Sequence, residues 1–567
     1  DANCPTASPT LSPRRQVMQT NRRRAARLAA RIFLFTWWPY LAFLGAVAHL
    51  NLLVVPFWRA HGDEITRTLF YDRQALLSEY EMVRDVTQQR YPNLDWTIQK
   101  GALDLERLDR ETVAAIEASA TREEGARAIR RFVDAFDDGH FYAVRKDYRK
   151  PRFPASLLPD RTPKAPDVIS AHTPPERACA AILDLEQTDP IESHTSLAGH
   201  PDFAPIDAPA YFPSGILRTP SGRRLGVVRI GTFDYDDYTA ACHTEWQRFR
   251  WTIRGSCEEK CQWDFYYLFR DRVVADFARQ VERLIEARAE VFVLDLAGNG
   301  GGNDWYQAVV RTLTARRVPC PRTALARTDE TKEQIEWQAE SLRAALRKGP
   351  CGTERRIIEE ALRRAEALSG EVSKPCGRDW VFPAPENWSE AKAIELEKAG
   401  EEVPEELRRQ TNCTALTTAE FFQCGYFSDL EIGPSRDRDL QNLLFDPHKF
   451  AFRPGLWNGP IAVIIDEDSG SAAEMAAGML QDWAGAIVVG EPSSGSGAGY
   501  HFGRHADPLP VSGLELYMPT ATSWRRDGRN YREGITPDIR VWWYEDDTWE
   551  ARVKKLAWEL RVLAATT

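Results

Sequence analysis

The sequence predicts an α/β fold, and two observations lead to that prediction. Short apolar runs typical of buried strands recur through residues 223–317 and 456–545, and helical patterns separate several of them. With 567 residues, of which 43% are hydrophobic and 28% charged, the chain is long enough for several folded domains. The strand-like runs are Leu225–Ile230, Val291–Leu296, Ile461–Ile465, Ile487–Val489, Leu514–Met518 and Ile539–Trp542.

The N-terminal region joins a basic segment, residues 1–31, to the apolar run Ile32–Trp58. This run of 27 residues contains no Asp, Glu, Lys or Arg, and about 20 apolar residues suffice to cross a bilayer as a helix. A cleavable signal peptide is the competing interpretation, with Ala46-Val47-Ala48 as the cleavage site. Because the apolar residues continue beyond that site, we favour a retained membrane anchor. The positive-inside rule then places the rest of the chain in the periplasm or the extracellular space.

Four further segments complete the predicted organisation. Residues 60–145 are expected to form a helical N-terminal domain, because apolar residues recur there at helical spacing. Residues 146–222 are rich in proline and predict a connector. Residues 318–455 interrupt the α/β core as an inserted subdomain with five cysteines, and residues 546–567 predict a C-terminal helix.

Charge and cysteine content narrow the classes of partner. A net charge of −10 argues against nucleic acid as a general partner.

Nine of the ten cysteines follow the apolar run, and in an exported domain they tend to form disulfides, leaving at least one free. Cys257 and Cys261, with Cys242 and His243, suggest a zinc site as an alternative. Their spacing is not that of a common zinc motif, so we predict no metal.

A strand–turn–helix segment carries the first candidate catalytic residue. Residues 460–490 (PIAVIIDEDSGSAAEMAAGMLQDWAGAIVVG) predict a buried strand, a Gly/Ser turn, a helix and a second strand, with Ser471 where the helix begins. The first amides of a helix are partially positive, so a serine there can attack a carbonyl while neighbouring amides hold the oxyanion. The competing interpretation is structural, since Ser471-x-x-Glu474 is also a capping box.

A second glycine-rich turn, residues 294–302 (LDLAGNGGG), also leaves a predicted strand and enters a helix. It lacks the Gly-Lys-Ser/Thr ending of a nucleotide-binding loop, and its glycine spacing does not match the dinucleotide fingerprint. Its amides can instead form an oxyanion hole.

A serine nucleophile also needs a base, and three histidines are candidates. His140 lies in the sequence DDGHF at residues 137–141, whereas His501 and His505 follow the second core strand. The two later histidines are also spaced like metal ligands on a helix, but Gly503 between them weakens any helix there.

In their order along the chain, these motifs resemble those of the C-terminal-processing (tail-specific) and tricorn-type serine peptidases. The resemblance extends from about Tyr91 to Val541, apart from the insertion, and implies a ClpP/crotonase-like α/β core. The motifs are DGH (138–140), LDLAGNGGG (294–302), DEDSGSAAE (466–474), VVGEPSSGSG (488–497) and GITPD (534–538).

The resemblance also implies roles for individual residues. Ser471 matches the nucleophile, and His140 matches the base of the histidine-using tricorn-type branch. The amide of Ala472, with that of Gly301 or Gly302, matches the oxyanion hole. Glu533, directly before the GITPD motif, is the candidate for the acid that orients the histidine. No metal or organic cofactor is required.

The chain departs from the family pattern at several positions. The lysine base of the processing branch lies twenty-five residues after the serine, where this chain has Ser496, so a Ser–Lys dyad is excluded. In the tricorn-type branch a relay serine can precede the histidine, where this chain has Gly139. The usual arginine of the LDLRG motif is Ala297. The proline-rich connector also lacks the carboxylate-binding loop of a PDZ module.

The sequence therefore predicts a membrane-anchored serine endopeptidase that hydrolyses extracytoplasmic proteins or peptides by a Ser–His–Glu mechanism. Its expected partners are a polypeptide substrate and, through Ile32–Trp58, the membrane. Two alternatives stay open: a non-catalytic ligand- or protein-binding member of the same fold, and an esterase that uses the same serine and oxyanion hole.

Overall fold

The structure is a computed structural model that describes residues 71–100, 103–145, 168–183, 194–209, 211–373, 416–430, 437–497, 499–503, 506–544 and 546–566. The predicted basic segment and the apolar run Ile32–Trp58 lie outside these residues. None of the helices described is both long and apolar enough to cross a membrane. The chain divides into two compact units, residues 1–75 with 119–122 and residues 76–118 with 123–567. In the described part of the first unit, the Arg73 guanidinium donates to the Ser119 carbonyl over 2.8 Å.

Helices dominate the described residues before position 135. They are α1 (Arg73–Arg90), α2 (Leu94–Lys100), α3 (Leu105–Ala118) and α4 (Arg122–Asp134). Their buried apolar residues recur three or four positions apart, as a helix requires to present one face. Tyr80 of α1 and Phe132 of α4 meet edge to face at 5.2 Å. Strand β1 (Tyr142–Arg145) and helix α5 (Pro175–Ile182) follow.

Among the described residues, a seven-stranded sheet forms the centre of the second unit, in the order β12-β8-β7-β5-β4-β3-β2. The five strands from β4 to β12 run parallel, and β3 and β2 continue the sheet antiparallel. This mixed sheet confirms the α/β fold class. The strands are β2 (Phe203–Pro205), β3 (Ser214–Arg218), β4 (Arg224–Arg229), β5 (Val291–Asp295), β7 (Ile461–Ile465), β8 (Ile487–Gly490) and β12 (Ile539–Arg540).

Both faces of the sheet are covered, which explains why its strands read as continuous apolar runs. Because successive side chains of a strand point to opposite faces, Val463 and Ile465 pack on one side, whereas Ala462 and Ile464 pack on the other. The first side carries α6 (Thr239–Phe249), α7 (Glu259–Glu286), α8 (Tyr306–Thr312) and α12 (Ala472–Met479), and the second carries α13 (Trp549–Thr566).

Two small antiparallel sheets join distant parts of the chain. Strand β1 pairs with β10 (Leu514–Tyr517), which pairs with β9 (Ala506–Leu509). Strand β6 (Arg322–Leu325) pairs with β11 (Ala521–Trp524). The first sheet fixes the segment around His140 to the core, since Tyr142 lies opposite Tyr517 and their rings stack at 5.0 Å.

The described part of the insertion has a small core of its own. Helices α9 (Asp329–Arg347) and α10 (Gly352–Val372) pack against each other, and α11 (Arg438–Leu444) packs into the same core. Buried residues on α9 and α10 recur every three or four positions, for example Ile335, Ala339 and Leu342. The hydroxyl of Thr328 caps α9 by accepting the Thr331 amide at 3.1 Å.

Three disulfides occur among the described residues. They join Cys179 to Cys242, Cys257 to Cys261, and Cys320 to Cys424. The last bond closes the insertion near its point of entry. Cys351 is a free, exposed thiol. Cys242, Cys257 and Cys261, considered above as zinc ligands, are therefore engaged in disulfides.

Candidate active site

Two turns at the carboxyl ends of the neighbouring strands β5 and β7 form the floor of the candidate site. Their backbones are held together by direct hydrogen bonds, since the Gly470 amide donates to the Asn299 carbonyl at 2.9 Å. The amide of Gly298 donates to the Asp466 carboxylate at 2.8 Å, and the Ser469 hydroxyl donates to the Leu296 carbonyl at 2.9 Å. The sheet topology therefore brings the two glycine-rich motifs together, as their positions after adjacent parallel strands require.

Ser471 lies directly before α12 in a strained backbone conformation. Its φ is 50° and its ψ is −116°. Positive φ is uncommon for a residue with a side chain, and such strain is found disproportionately at functional sites. Among the described residues, the only other non-glycine positions with positive φ are Asp137 and Arg288. Asp137 belongs to the segment that carries His140.

Glu474 connects the Ser471 backbone to the loop that follows β8. Its carboxylate accepts the Ser471 amide at 3.0 Å and the Gly495 and Ser496 amides at 2.7 Å each, and it also accepts the Ser493 hydroxyl. Burial raises the pKa of Glu474 to about 7, against these hydrogen bonds, which lower it. Glu474, predicted as half of a capping box, thus holds the Ser471 backbone and the loop after β8 together.

The predicted oxyanion donors lie beside Ser471 but differ in their hydrogen bonding. The Gly301 amide donates to the side-chain oxygen of Asn299 at 2.9 Å, so it is already engaged. For the amides of Gly302 and Ala472, the described residues provide no acceptor. Both residues line the same cavity as Ser471, and Ala472 is the first residue of α12. These two amides are therefore the candidates for binding a developing negative charge.

Glycine is required in this turn for steric reasons. Gly301 and Gly302 have φ values of 109° and 128°. A Cβ at Gly301 would lie 2.5 Å from the Cβ of Ser471, and one at Gly302 would lie 2.2 Å from the Asp234 amide nitrogen. The close approach of the turn to the serine therefore depends on the missing side chains.

His140 is held between Asp138 and the loop after β8. The Asp138 carboxylate accepts the His140 backbone amide at 3.0 Å and lies 4.0 Å from the imidazole Nδ1. On the other side of the ring, a Cβ at Gly499 would lie 2.9 Å from Nε2. Gly499 also lines the cavity that contains Ser471. Between Ser471 and His140 themselves, the structure has no hydrogen bond.

Asp138 is a buried carboxylate with several partners. It accepts the Tyr91 hydroxyl at 2.8 Å, and the Arg532 guanidinium lies 3.4 Å away. Its side chain has no exposed surface. Glu533, the predicted orienting acid, instead forms an ion pair with Lys100 at 3.1 Å and is partly exposed. The structure thus places Asp138, and not Glu533, next to the imidazole.

The two departures from the family pattern at Gly139 and Ser496 lie side by side. A Cβ at position 139 would be 2.6 Å from the Ser496 hydroxyl oxygen. Ser496 is buried, and its hydroxyl also accepts a hydrogen bond from Ser494 at 3.1 Å. The Ser496 hydroxyl therefore occupies the space into which a side chain at position 139 would extend.

His501, a rival base, lines the cavity as well. Its ring packs against Phe421 and Phe502, at centroid distances of 4.9 and 4.6 Å. Burial lowers the pKa of His501 to about 4, so the imidazole is neutral at pH 7. His505, the other rival, lies outside the described residues.

The cavity beside Ser471 has a volume of about 1330 Å³ and lies between the core and the insertion. At its wall, Lys449 bridges the carboxylates of Asp304 and Asp446, and Arg270 lies 3.7 Å from Asp304. Burial alone would raise the pKa of Asp304, but Lys449 and Arg270 outweigh it and hold that pKa below its usual range. The cavity wall therefore contains fixed charges close to the glycine-rich turn.

The catalytic roles of Ser471, His140, Glu533, Gly301, Gly302 and Ala472 stay predictions, and Asp138 was not among the residues assigned from the sequence. The signal was present, because an aspartate two residues before a histidine can accept the histidine's backbone amide in an Asx turn. The orienting role was assigned to Glu533, directly before the GITPD motif, and only the folded chain shows that its partner is Lys100.

Comparisons with known proteins found one matching family and several similar solved structures. The model of Peptidase family S41 matches residues 262–541. Solved structures with a similar fold include mature CPAF complexed with lactacystin, at 13% identity and a TM-score of 0.49 over 87% of this chain and 98% of the other. The photosystem II D1 C-terminal processing protease is 11% identical, with a TM-score of 0.29 over 86% and 97%. The tricorn protease is 10% identical, with a TM-score of 0.29 over 86% and 37%.

The family assignment rests on the sequence match, which covers both glycine-rich turns and the strained serine. Through residues 262–541 this chain belongs to peptidase family S41, a family of serine-type peptidases.

Proposed function

We propose that this peptidase is a serine endopeptidase that acts on proteins or peptides outside the cytoplasm, with Ser471 as nucleophile and His140 as general base. The observation that carries the proposal is the geometry at Ser471. The serine is held in a strained conformation at the start of α12, in a cavity that the Gly302 and Ala472 residues also line. A partly exposed serine on a strained strand-to-helix turn is an arrangement suited to acyl transfer.

The proposed reaction follows from these positions. The Ser471 hydroxyl attacks the peptide carbonyl while His140 accepts its proton, and the amides of Ala472 and Gly302 hold the oxyanion. The imidazolium then gives the proton to the leaving amine, and water hydrolyses the acyl-enzyme by the same steps. Because the imidazole lies against Gly499 and is not hydrogen-bonded to Ser471, it must approach the hydroxyl when substrate binds.

We assign the orienting carboxylate to Asp138. Its distance of 4.0 Å from Nδ1 and its bond to the His140 amide support this role, and the charge of a buried carboxylate favours the imidazolium formed during the reaction. The Asp138 carboxylate is itself held by a hydrogen bond from Tyr91 and by the Arg532 guanidinium.

We propose an extracytoplasmic location, with Ile32–Trp58 as membrane anchor. The three disulfides support it, because such bonds persist in oxidising compartments and are rare in the cytosol.

A labelling experiment tests the function. Wild-type protein should react with a fluorophosphonate probe and hydrolyse unstructured polypeptides. Ser471→Ala should abolish labelling and lower peptide turnover by roughly 10³-fold or more, because the nucleophile is lost. Ser373→Ala, at an exposed serine after α10, is the matched control and should retain both.

The outcomes separate the alternatives. Folded Ser471→Ala protein that keeps peptide turnover would exclude this serine as nucleophile. Wild-type protein that neither reacts with the probe nor cleaves peptides would favour the non-catalytic alternative. Hydrolysis of esters without hydrolysis of peptides would favour the esterase.

A further inference from the structure

Two helices from different parts of the chain line the cavity with regularly spaced side chains. On α7 of the core, the lining residues Trp263, Tyr266, Tyr267 and Arg270 follow the i, i+3, i+4, i+7 spacing of one helix face. On α9 of the insertion, Gln334, Trp337, Gln338, Ser341 and Ala345 follow the same spacing. The cavity is therefore a groove between the core and the insertion, with Ser471 in its lining.

Both helices present an exposed tryptophan to this groove. Trp263 is 52% exposed and Trp337 is 63% exposed. Large exposed aromatic side chains around a concave surface mark binding sites more often than they occur by chance. On α7 the indole is held by its neighbours, since Trp263 packs edge to face against Tyr266 at 5.6 Å and lies 6.3 Å from Tyr267. The aromatic rings on this face therefore contact one another.

The dimensions of the groove indicate a chain and not a small molecule. The cavity volume of about 1330 Å³ is larger than the roughly 300–1,000 Å³ of typical small-molecule pockets. The lining face of α9, from Gln334 to Ala345, is about 16 Å long at 1.5 Å per residue. An extended polypeptide rises about 3.3 Å per residue, so about five residues would lie along this face.

We propose that this groove binds the polypeptide on one side of the scissile bond, and that Trp263 and Trp337 recognise bulky apolar or aromatic side chains there. The inference rests on the proposed function and assigns to the insertion the role of a substrate-binding wall. Its occupant is an extended polypeptide because the same cavity contains Ser471, the proposed nucleophile for peptide bonds. Tryptophan is enriched among the residues that contribute most to binding at protein surfaces.

Peptide binding to inactive protein tests the proposal without depending on catalysis. In the Ser471→Ala background, a fluorescent peptide of about ten residues rich in Phe and Leu should bind, and Trp263→Ala or Trp337→Ala should each raise its Kd roughly tenfold. A matched peptide in which Ser and Asn replace Phe and Leu should bind weakly, and its Kd should change little in the two tryptophan variants. Trp251→Ala is the control, since Trp251 is 70% exposed but does not line the groove.

The readouts distinguish failure of this inference from failure of the proposed function. Equal binding by the Trp337→Ala and Trp251→Ala variants, with unfolding temperatures like the parent, would overturn the groove proposal even if peptides are cleaved. Loss of binding in both groove variants but not in the control supports it, even if wild-type protein proves inactive. Absence of any peptide binding to folded Ser471→Ala protein would also overturn it.

Discussion

At the scale of single residues, the site depends on a few conformations that ordinary side chains disfavour. Ser471 has positive φ, and the turn that faces it contains Gly301 and Gly302 because a Cβ at either position would collide with its surroundings. These constraints are local, and that is why the motifs around them could be identified from the sequence. Asp138, the partner of His140, lies only two residues before it, but its contacts with Tyr91 and Arg532 required the folded chain.

Replacing Asp138 by Asn should separate orientation from fold. The change keeps the shape but removes the negative charge beside the imidazole, so we expect peptide kcat to fall by about 10²- to 10⁴-fold. The measurement is kcat across pH for wild-type and variant protein, together with thermal unfolding, because Asp138 also contacts Arg532. Glu533→Gln is the matched control and should alter kcat little. The reverse ranking of the two variants would return the orienting role to Glu533.

At the scale of elements, apolar runs predicted the buried parallel strands closely. The run Ile461–Ile465 coincides with β7, and the others of the central sheet differ by one or two residues at their ends. Most of the antiparallel strands were missed, although the run Leu514–Met518 matches β10. Strand β3 begins with Ser214 and Gly215, and β9 contains Pro508, so neither resembles a typical strand sequence. Strand β1 forms only because β10, far along the chain, provides its hydrogen-bond partners.

The buried carboxylate of Glu474, which connects α12 to the loop after β8, predicts that the stability of the protein depends on pH. Burial raises the pKa of Glu474 from 4.5 to about 7. The unfolded chain releases this proton near its ordinary pKa, whereas the folded protein retains it to higher pH. Stability therefore falls as pH rises from about 5 to about 7, by on the order of 3 kcal/mol for this group.

Urea unfolding across that pH range, for wild-type and Glu474→Gln protein, measures the contribution. The variant cannot ionise, so the difference between the two unfolding free energies should change with pH in the stated direction. Glu336→Gln, at an exposed site on α9, should keep the wild-type dependence. A pH-independent difference between wild-type and Glu474→Gln protein would show that the carboxyl is not shifted.

At the scale of the whole molecule, chain segments far apart in sequence meet around one cavity. Ser471 and the proposed oxyanion donors follow two strand ends, the opposite wall comes from the insertion, and His140, from the N-terminal region, lies against Gly499 of the cavity lining. The predictions of the histidine, the serine and the oxyanion donors came from motifs with a fixed local pattern, and their catalytic roles stay predictions. The groove wall has no such pattern, since the helical spacing of Gln334, Trp337 and Ser341 indicates a helix but not what that face meets.

The insertion is also closed by a disulfide within it, and the size of the closed loop predicts how much each disulfide stabilises the protein. Cys320–Cys424 joins residues 104 apart, whereas Cys257–Cys261 joins residues 4 apart. In the chain-entropy treatment, the longer loop is worth about 4.7 kcal/mol and the shorter about 2 kcal/mol, since the cross-link restricts the unfolded chain more when it encloses more residues.

Replacing both cysteines of each pair by serine should therefore lower the unfolding free energy more for Cys320 and Cys424. Urea unfolding without reductant measures this ranking, and wild-type protein fully reduced provides the reference. Equal losses for the two double variants would show that native-state contacts, and not loop closure, determine the contribution of the longer cross-link.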